Sequence, residues 1–169
     1  MKDNNLFVVP FAGIKLGIHQ YNFTVTEMFF EDLSHLQLEN GLFKVELELE
    51  KKETMMLASF TAKGTAQQPC RRCNDLVDVI LNTNLSLVYK FGSEESEDEN
   101  LIVLHPDSFE INVYQPIYEM IAMALSSLST HEEGGCNQDM LVFLNAHKSN
   151  LSEQDTTEDS IWSKLKNLN

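Results

Sequence analysis

The sequence predicts an α+β fold: an antiparallel β-sheet or partly open barrel packed by one long amphipathic helix, with a disordered acidic loop and tail. Three observations carry this. Phe43, Val45, Leu47 and Leu49 alternate strictly with Lys44, Glu46, Glu48 and Glu50, the period of a sheet with one wet face. Odd positions from Val77 to Phe91 run apolar or β-branched without a break, which reads as one long bent strand or a tight hairpin at Asn82 to Asn84. Ile117, Met120, Ile121, Ala124, Leu125 and Leu128 share one face of a 3.6-residue period, and Pro116 suits the first turn of that helix.

The other elements follow in chain order. Leu6 to Pro10 reads as a strand, and Tyr21, Phe23 and Val25 mark a second one after Gly17. Thr26 is suited to cap one or two helical turns over Glu27 to Leu33, whose early acids favour a helix N-terminus. Asn40-Gly41 gives a turn into the alternating strand, and Lys51-Lys52-Glu53 a turn into its partner through Met56, Ala58, Phe60 and Ala62. The run from Ser93 to Asn100 is dense in acids with nothing to bury and reads as a mobile loop. Leu101 to Leu104 and Phe109 to Val113 read as short strands, and Met140, Leu141 and Leu144 as a short helix. Met55, Met56, Met120 and Met123 read as core filling. The expected organisation is a domain over 1–144, an acidic flexible linker over 145–160 and an amphipathic C-terminal peptide over 161–169. Ile161, Trp162, Leu165 and Leu168 form a stripe suited to docking.

Lys plus Arg total 12 against 26 Asp plus Glu, a net charge of −14, which disfavours a general nucleic-acid or anionic-membrane binder. No apolar run approaches a membrane span and the start lacks a signal-peptide stretch, so a cytoplasmic protein is expected. No nucleophile motif or Gly-rich phosphate loop is present, so neither catalysis nor a small-molecule substrate is expected.

Two constellations remain. Cys70-Arg71-Arg72-Cys73 places two thiols where they can chelate one metal, and His131 to Cys136 places an imidazole and a third thiol around two glycines. Together Cys70, Cys73, His131 and Cys136 would complete a tetrahedral zinc shell if the fold closes the long gap between the halves; the competing reading is reduced cysteines packed as small hydrophobes. A thioredoxin-like site fits less well, because Cys73 leads into a strand pattern where that motif opens a helix. Arg71 and Arg72 are the only arginines. Between Phe60 and Gly92 they join Lys63 and Lys90 against only Asp75 and Asp78, so any RNA contact belongs here, unless these arginines simply pair with surface acids.

Cys70-x-x-Cys73, Tyr89-x-Phe91-Gly92 before the acidic run, Phe109 to Val113, Tyr118-Glu119 and the His131-x4-Cys136 ending resemble, in that order, the YceD family of large ribosomal RNA subunit accumulation proteins. The resemblance spans roughly residues 17–144. Gly17, Phe23, Phe29-Phe30 and the Trp162 tail look like the branch found in Bacteroidetes-type bacteria. Asn112, where the family often has Asp, and Ser126-Ser127, where it often has a Pro, depart from the pattern. The resemblance implies a non-enzymatic factor in large-subunit assembly and ribosomal RNA accumulation. It would work by local RNA contact at the Cys70 to Cys73 loop or, alternatively, as an acidic module shielding a basic ribosomal protein.

Overall fold

A computed structural model describes residues 4–30, 38–93, 97–126 and 129–152. Residues 94–96 of the acidic run, Leu128 of the expected helix face, residues 31–33 of the expected helical turns and the stripe Ile161, Trp162, Leu165 and Leu168 lie outside the described residues. By internal contacts the chain divides into two compact units, Met1–Gln68 with Leu76–Ser129, and Pro69–Asp75 with Thr130–Asn169.

The first unit is built on strands β2 (Gly17–Thr26), β3 (Glu39–Lys51), β4 (Met55–Pro69), β5 (Leu76–Phe91) and β6 (Leu101–Leu104), which follow one another across a five-stranded sheet. β1 (Val8–Pro10) and β7 (Glu110–Asn112) form a separate antiparallel pair. The alternation in β3 does what its period requires: Phe43, Val45, Leu47 and Leu49 are buried while Lys44, Glu46 and Glu48 are exposed. β2 pairs antiparallel on one side of it and β4 on the other, with the β3–β4 turn closed by the Lys52 amide donating to the Met55 carbonyl at 2.9 Å. β5 is one continuous strand with no hairpin at Asn82 to Asn84. Gly64 on β4 is forced by crowding, since a Cβ there would sit 2.2 Å from the Leu42 carbonyl oxygen.

Three expectations need correction. The sheet is mixed and open, because β6 runs parallel to β5 (Val88 opposite Leu101, Phe91 opposite Leu104). Alternation reports which face is buried but not the direction of the neighbour, so the pattern could not reveal this. The helix expected around Met140, Leu141 and Leu144 is present but not short: α1, Tyr114–Ser126, has 13 residues and α2, Gln138–Ser152, has 15, so α1 is not the one long helix among the described residues. α2 extends over residues 145–152, whose polar composition reads as linker; it is started by a capping side chain and needs no apolar stripe there. Finally, Met56 and Met120 are core residues, but Met123 is 74% exposed.

α1 begins beside Asn112, whose side-chain oxygen accepts from the Tyr114 amide at 2.9 Å, so the residue that departs from the family pattern still serves the helix start. It buries Ile117, Met120, Ile121 and Leu125. Phe7, Phe29 and Tyr114 pack nearby in tilted and edge-to-face pairs, with centroids of Phe29 and Tyr114 4.3 Å apart.

Candidate metal centre

The second unit joins two short segments. In the first, the Cys70 amide donates to the Asp75 carbonyl and the Asn74 amide to the Cys70 carbonyl, both at 2.8 Å, with Asn74 at φ 64°. This closes a tight knuckle around Arg71 to Cys73, and a positive φ is one that Asn tolerates better than most residues. The Arg72 amide points at the Cys70 sulfur, 3.4 Å away. In the second segment Gly134 takes φ 85° and the Gly135 amide donates to the Glu132 carbonyl at 3.0 Å, turning the chain so that His131 and Cys136 converge.

Beside the contacts among the ligand atoms, two side-chain hydrogen bonds link the segments. The Arg72 guanidinium donates to the His131 carbonyl, and the Asn137 amide donates to the Asp75 carboxylate at 3.1 Å. Asn137 also caps α2, its side-chain oxygen accepting from the Asp139 amide at 3.1 Å and the Met140 amide at 3.4 Å. The sequence reading missed Asn137, although an Asn with an Asp two residues later, just ahead of Met140 and Leu141, is a helix-start signal.

The outcome is a cluster in which one ligand atom from each of Cys70, Cys73, His131 and Cys136 lies within 4.8 Å of all the others. Cys70 Sγ is 3.9 Å from Cys136 Sγ, and His131 Nδ1 is 3.4 Å from Cys73 Sγ and 4.0 Å from Cys136 Sγ. A tetrahedral zinc with bonds of about 2.3 Å to sulfur and 2.0 Å to nitrogen spaces its ligands about 3.5–3.8 Å apart. The donor set therefore fits the ion with little movement. All three cysteines are free and buried.

Burial pushes the Cys70 thiol up, but hydrogen bonds from the backbone of Cys73, Arg72 and His131 and from the His131 side chain outweigh it, bringing it from 9.0 down to about 5. Burial, together with hydrogen bonds that the Cys136 thiol donates to Cys70 and Cys73, pushes Cys136 up. The knuckle thus favours the thiolate form of Cys70, the form a metal binds. The remaining sequence candidates lie elsewhere: Lys63 on β4 and Lys90 on β5 are exposed in the sheet unit, while Arg71 is exposed on the knuckle.

Free, buried thiols and an imidazole gathered on two loops, in a chain whose other unit is a mixed sheet, define an α+β protein with a Cys3His cluster suited to a structural metal. A family model described as "Large ribosomal RNA subunit accumulation protein YceD" matches residues 58–169, and the chain belongs to the YceD family. The match starts later than the resemblance read from the motifs and reaches further, through the C-terminal peptide. No curated protein and no solved structure matches the chain. Among the described residues no helix is long and apolar enough to cross a membrane.

Proposed function

We propose that the chain is a non-catalytic factor in the accumulation of large-subunit ribosomal RNA, acting in the cytoplasm. In this reading Cys70, Cys73, His131 and Cys136 hold one Zn²⁺ that fixes the knuckle, and Arg71 on the knuckle contacts the RNA backbone, with Lys63 and Lys90 as further candidate contacts. The observation that carries the reading is the cluster itself. Four metal-compatible atoms from two segments meet beside the short loop that bears both of the chain's arginines, within the part of the sequence that belongs to the family. Zinc is preferred over other ions because three thiols and one imidazole match its usual structural shell. The ion would do no chemistry on a substrate; it would hold the loop in the shape that presents Arg71.

The test is binding of a large-subunit ribosomal RNA fragment to the purified full chain as salt is raised. Contact with phosphates gives a steep fall in affinity with salt, and that slope should flatten when Arg71 is replaced by Ala. Equal binding by the variant at every salt concentration would remove the loop from the RNA site.

The net charge of −14 favours a second reading, in which the chain shields a basic ribosomal protein. It requires binding of such a protein with no RNA present. The peptide over 161–169 would then serve as an additional docking segment, because Trp162 beside aliphatic residues is costly to leave in water.

A further inference from the structure

β6 is the last strand in the sheet order, so one of its edges has no neighbour among the described strands. Beside it, between β6, β7 and α1, opens a cavity of about 610 Å³ lying wholly within the sheet unit. Ile102 and Leu104 are half-buried and Met123 is largely exposed, and all three line the cavity as apolar surface. Glu99, Glu110 and Glu119 line it as well, all exposed, and no Lys, Arg or His does. Glu119 is held in place by the Gln115 amide, which donates to it at 2.6 Å.

One further group sets this groove apart from an ordinary acidic surface. Tyr89, only 2% exposed, is among its lining residues, and its buried hydroxyl has no hydrogen-bond partner among the described residues. Buried hydroxyls are nearly always paired, so Tyr89 is unusual among the residues of this wall. Anionic ligands are repelled by the three carboxylates, and a neutral apolar ligand would desolvate them without a counter-charge.

We propose that this groove is a docking site for a short cationic peptide segment of a partner protein, with an apolar side chain seated against Ile102, Leu104 and Met123 and lysine or arginine heads on Glu99, Glu110 and Glu119. The proposal deepens the second reading above, though it is argued from the groove alone.

The experiment uses the full chain and a fluorescein-labelled synthetic peptide of alternating lysine and leucine, followed by anisotropy. A companion peptide carries glycine for leucine at the same charge. Saturable binding of the leucine peptide is expected, weakened about tenfold or more by the doubly substituted Glu110→Lys, Met123→Lys chain and little changed by Glu48→Lys on β3. Both substituted residues are exposed, and unchanged circular dichroism and melting temperature establish that each variant is folded. Equal binding of both peptides, or equal loss in Glu48→Lys, would mean attraction to net charge only and would overturn the site.

The chain's only tryptophan, Trp162, reports on the competing occupant. Its emission should not move when peptide is added, whereas a red shift would show the chain's own tail leaving the groove and would overturn the partner proposal. So would a dimer in sedimentation that the double variant dissociates. A basic ribosomal protein bound equally by wild type and double variant would sink the groove while leaving the second reading intact.

Discussion

The two units bury different chemistry. The sheet unit encloses large apolar side chains, with Phe30, Phe43, Phe60, Leu47, Leu49, Ile117, Ile121 and Leu125 each less than 2% exposed. In the second unit the buried residues among those described are the three cysteines, while α2 leaves Met140, Val142, Phe143 and Leu144 exposed. The described part of this unit hides thiols and displays apolar residues, so the hydrophobic effect holds it less than it holds the sheet. The described residues of the second unit are linked by a small number of directed bonds, the Cys70–Asp75 knuckle and the Arg72 and Asn137 links, around a cluster compatible with a metal site. The difference teaches that one chain can contain one part whose stability is spread over many contacts and another whose stability is concentrated at a point.

The largest expected effect tests that concentration directly. Structural zinc sites contribute about 10–16 kcal/mol of apparent binding energy in small domains. Protein purified without chelator should therefore carry zinc in a ratio of about one per chain by mass spectrometry. Stripping it with a chelator, or making Cys73→Ser, should raise amide exchange across residues 69–75 and 130–137 while β3, β4 and β5 stay protected. Acidification should release the ion as thiolates and imidazole take up protons. A chain that carries no zinc, and whose exchange is unaltered when zinc is added, would end the contrast.

The converse substitution strikes the other unit. Phe43→Ala removes a fully buried ring from the middle of β3, at an expected cost of about 3–5 kcal/mol in denaturant titration. Gly64→Ala should also destabilise, because its Cβ would meet the backbone of Leu42 and Phe43, which cannot turn away, as well as the Phe43 ring. Zinc content should be unaffected at protein concentrations and temperatures where the variants remain folded. Loss of metal in folded Phe43→Ala would show that the two units are energetically one.

How much of this was legible in the sequence follows the same division. Phe43 to Leu49 and the odd positions of β5 declared a half-buried sheet, since burial on one face imposes a period of two on any strand. Ile117 to Leu125 likewise declared the packed face of α1. The parallel pairing of β6 was not legible, because strand direction is set by how the chain closes around the core and leaves no mark on Leu101 to Leu104. The length of α2 was hidden as well: a helix begun by Asn137 needs little apolar periodicity to continue. At the cluster the ligand identities could be named from spacing, as thiols three residues apart and an imidazole five residues from a thiol suit one ion. The links that hold the halves together could not, since Arg72 to His131 and Asp75 to Asn137 are contacts across a long sequence gap that no local pattern encodes.

A smaller effect separates the units by pH. Burial raises the Tyr89 hydroxyl from 10.0 to about 12, so the folded sheet unit holds this proton more tightly than the unfolded chain does. The contribution to stability is fully present below pH 10 and is lost as pH rises toward 12, because there the unfolded state is deprotonated while the folded state is not. The loss is on the order of 2–3 kcal/mol. Urea titrations at pH 9 to 11.5 should show this decline in wild type and a shallower one in Tyr89→Phe. Near neutral pH the substitution should leave stability unchanged or raise it by about 1 kcal/mol, since it removes a buried hydroxyl that has no partner among the described residues. A wild-type curve as flat as that of Tyr89→Phe would show that the hydroxyl reaches water.

The finest comparison lies between neighbouring residues of the knuckle. Arg71 and Arg72 are equivalent in sequence terms, and composition alone makes both of them phosphate binders. Both are exposed, but the structure divides them, because the Arg72 guanidinium donates to the His131 carbonyl, which belongs to the other half of the cluster. Arg72→Ala should therefore loosen the junction by about 1 kcal/mol, the usual net value of such a bond, read as faster zinc loss to a chelator. Arg71→Ala should leave zinc retention unaltered, since an exposed arginine contributes little to folding, and should reduce the salt slope of RNA binding by about one unit for the single phosphate contact removed. The pair of measurements crosses over: one variant moves metal retention, the other moves the salt slope. If both variants flatten the slope equally and neither changes zinc release, the Arg72 link has no mechanical role, and the two arginines act together at the RNA.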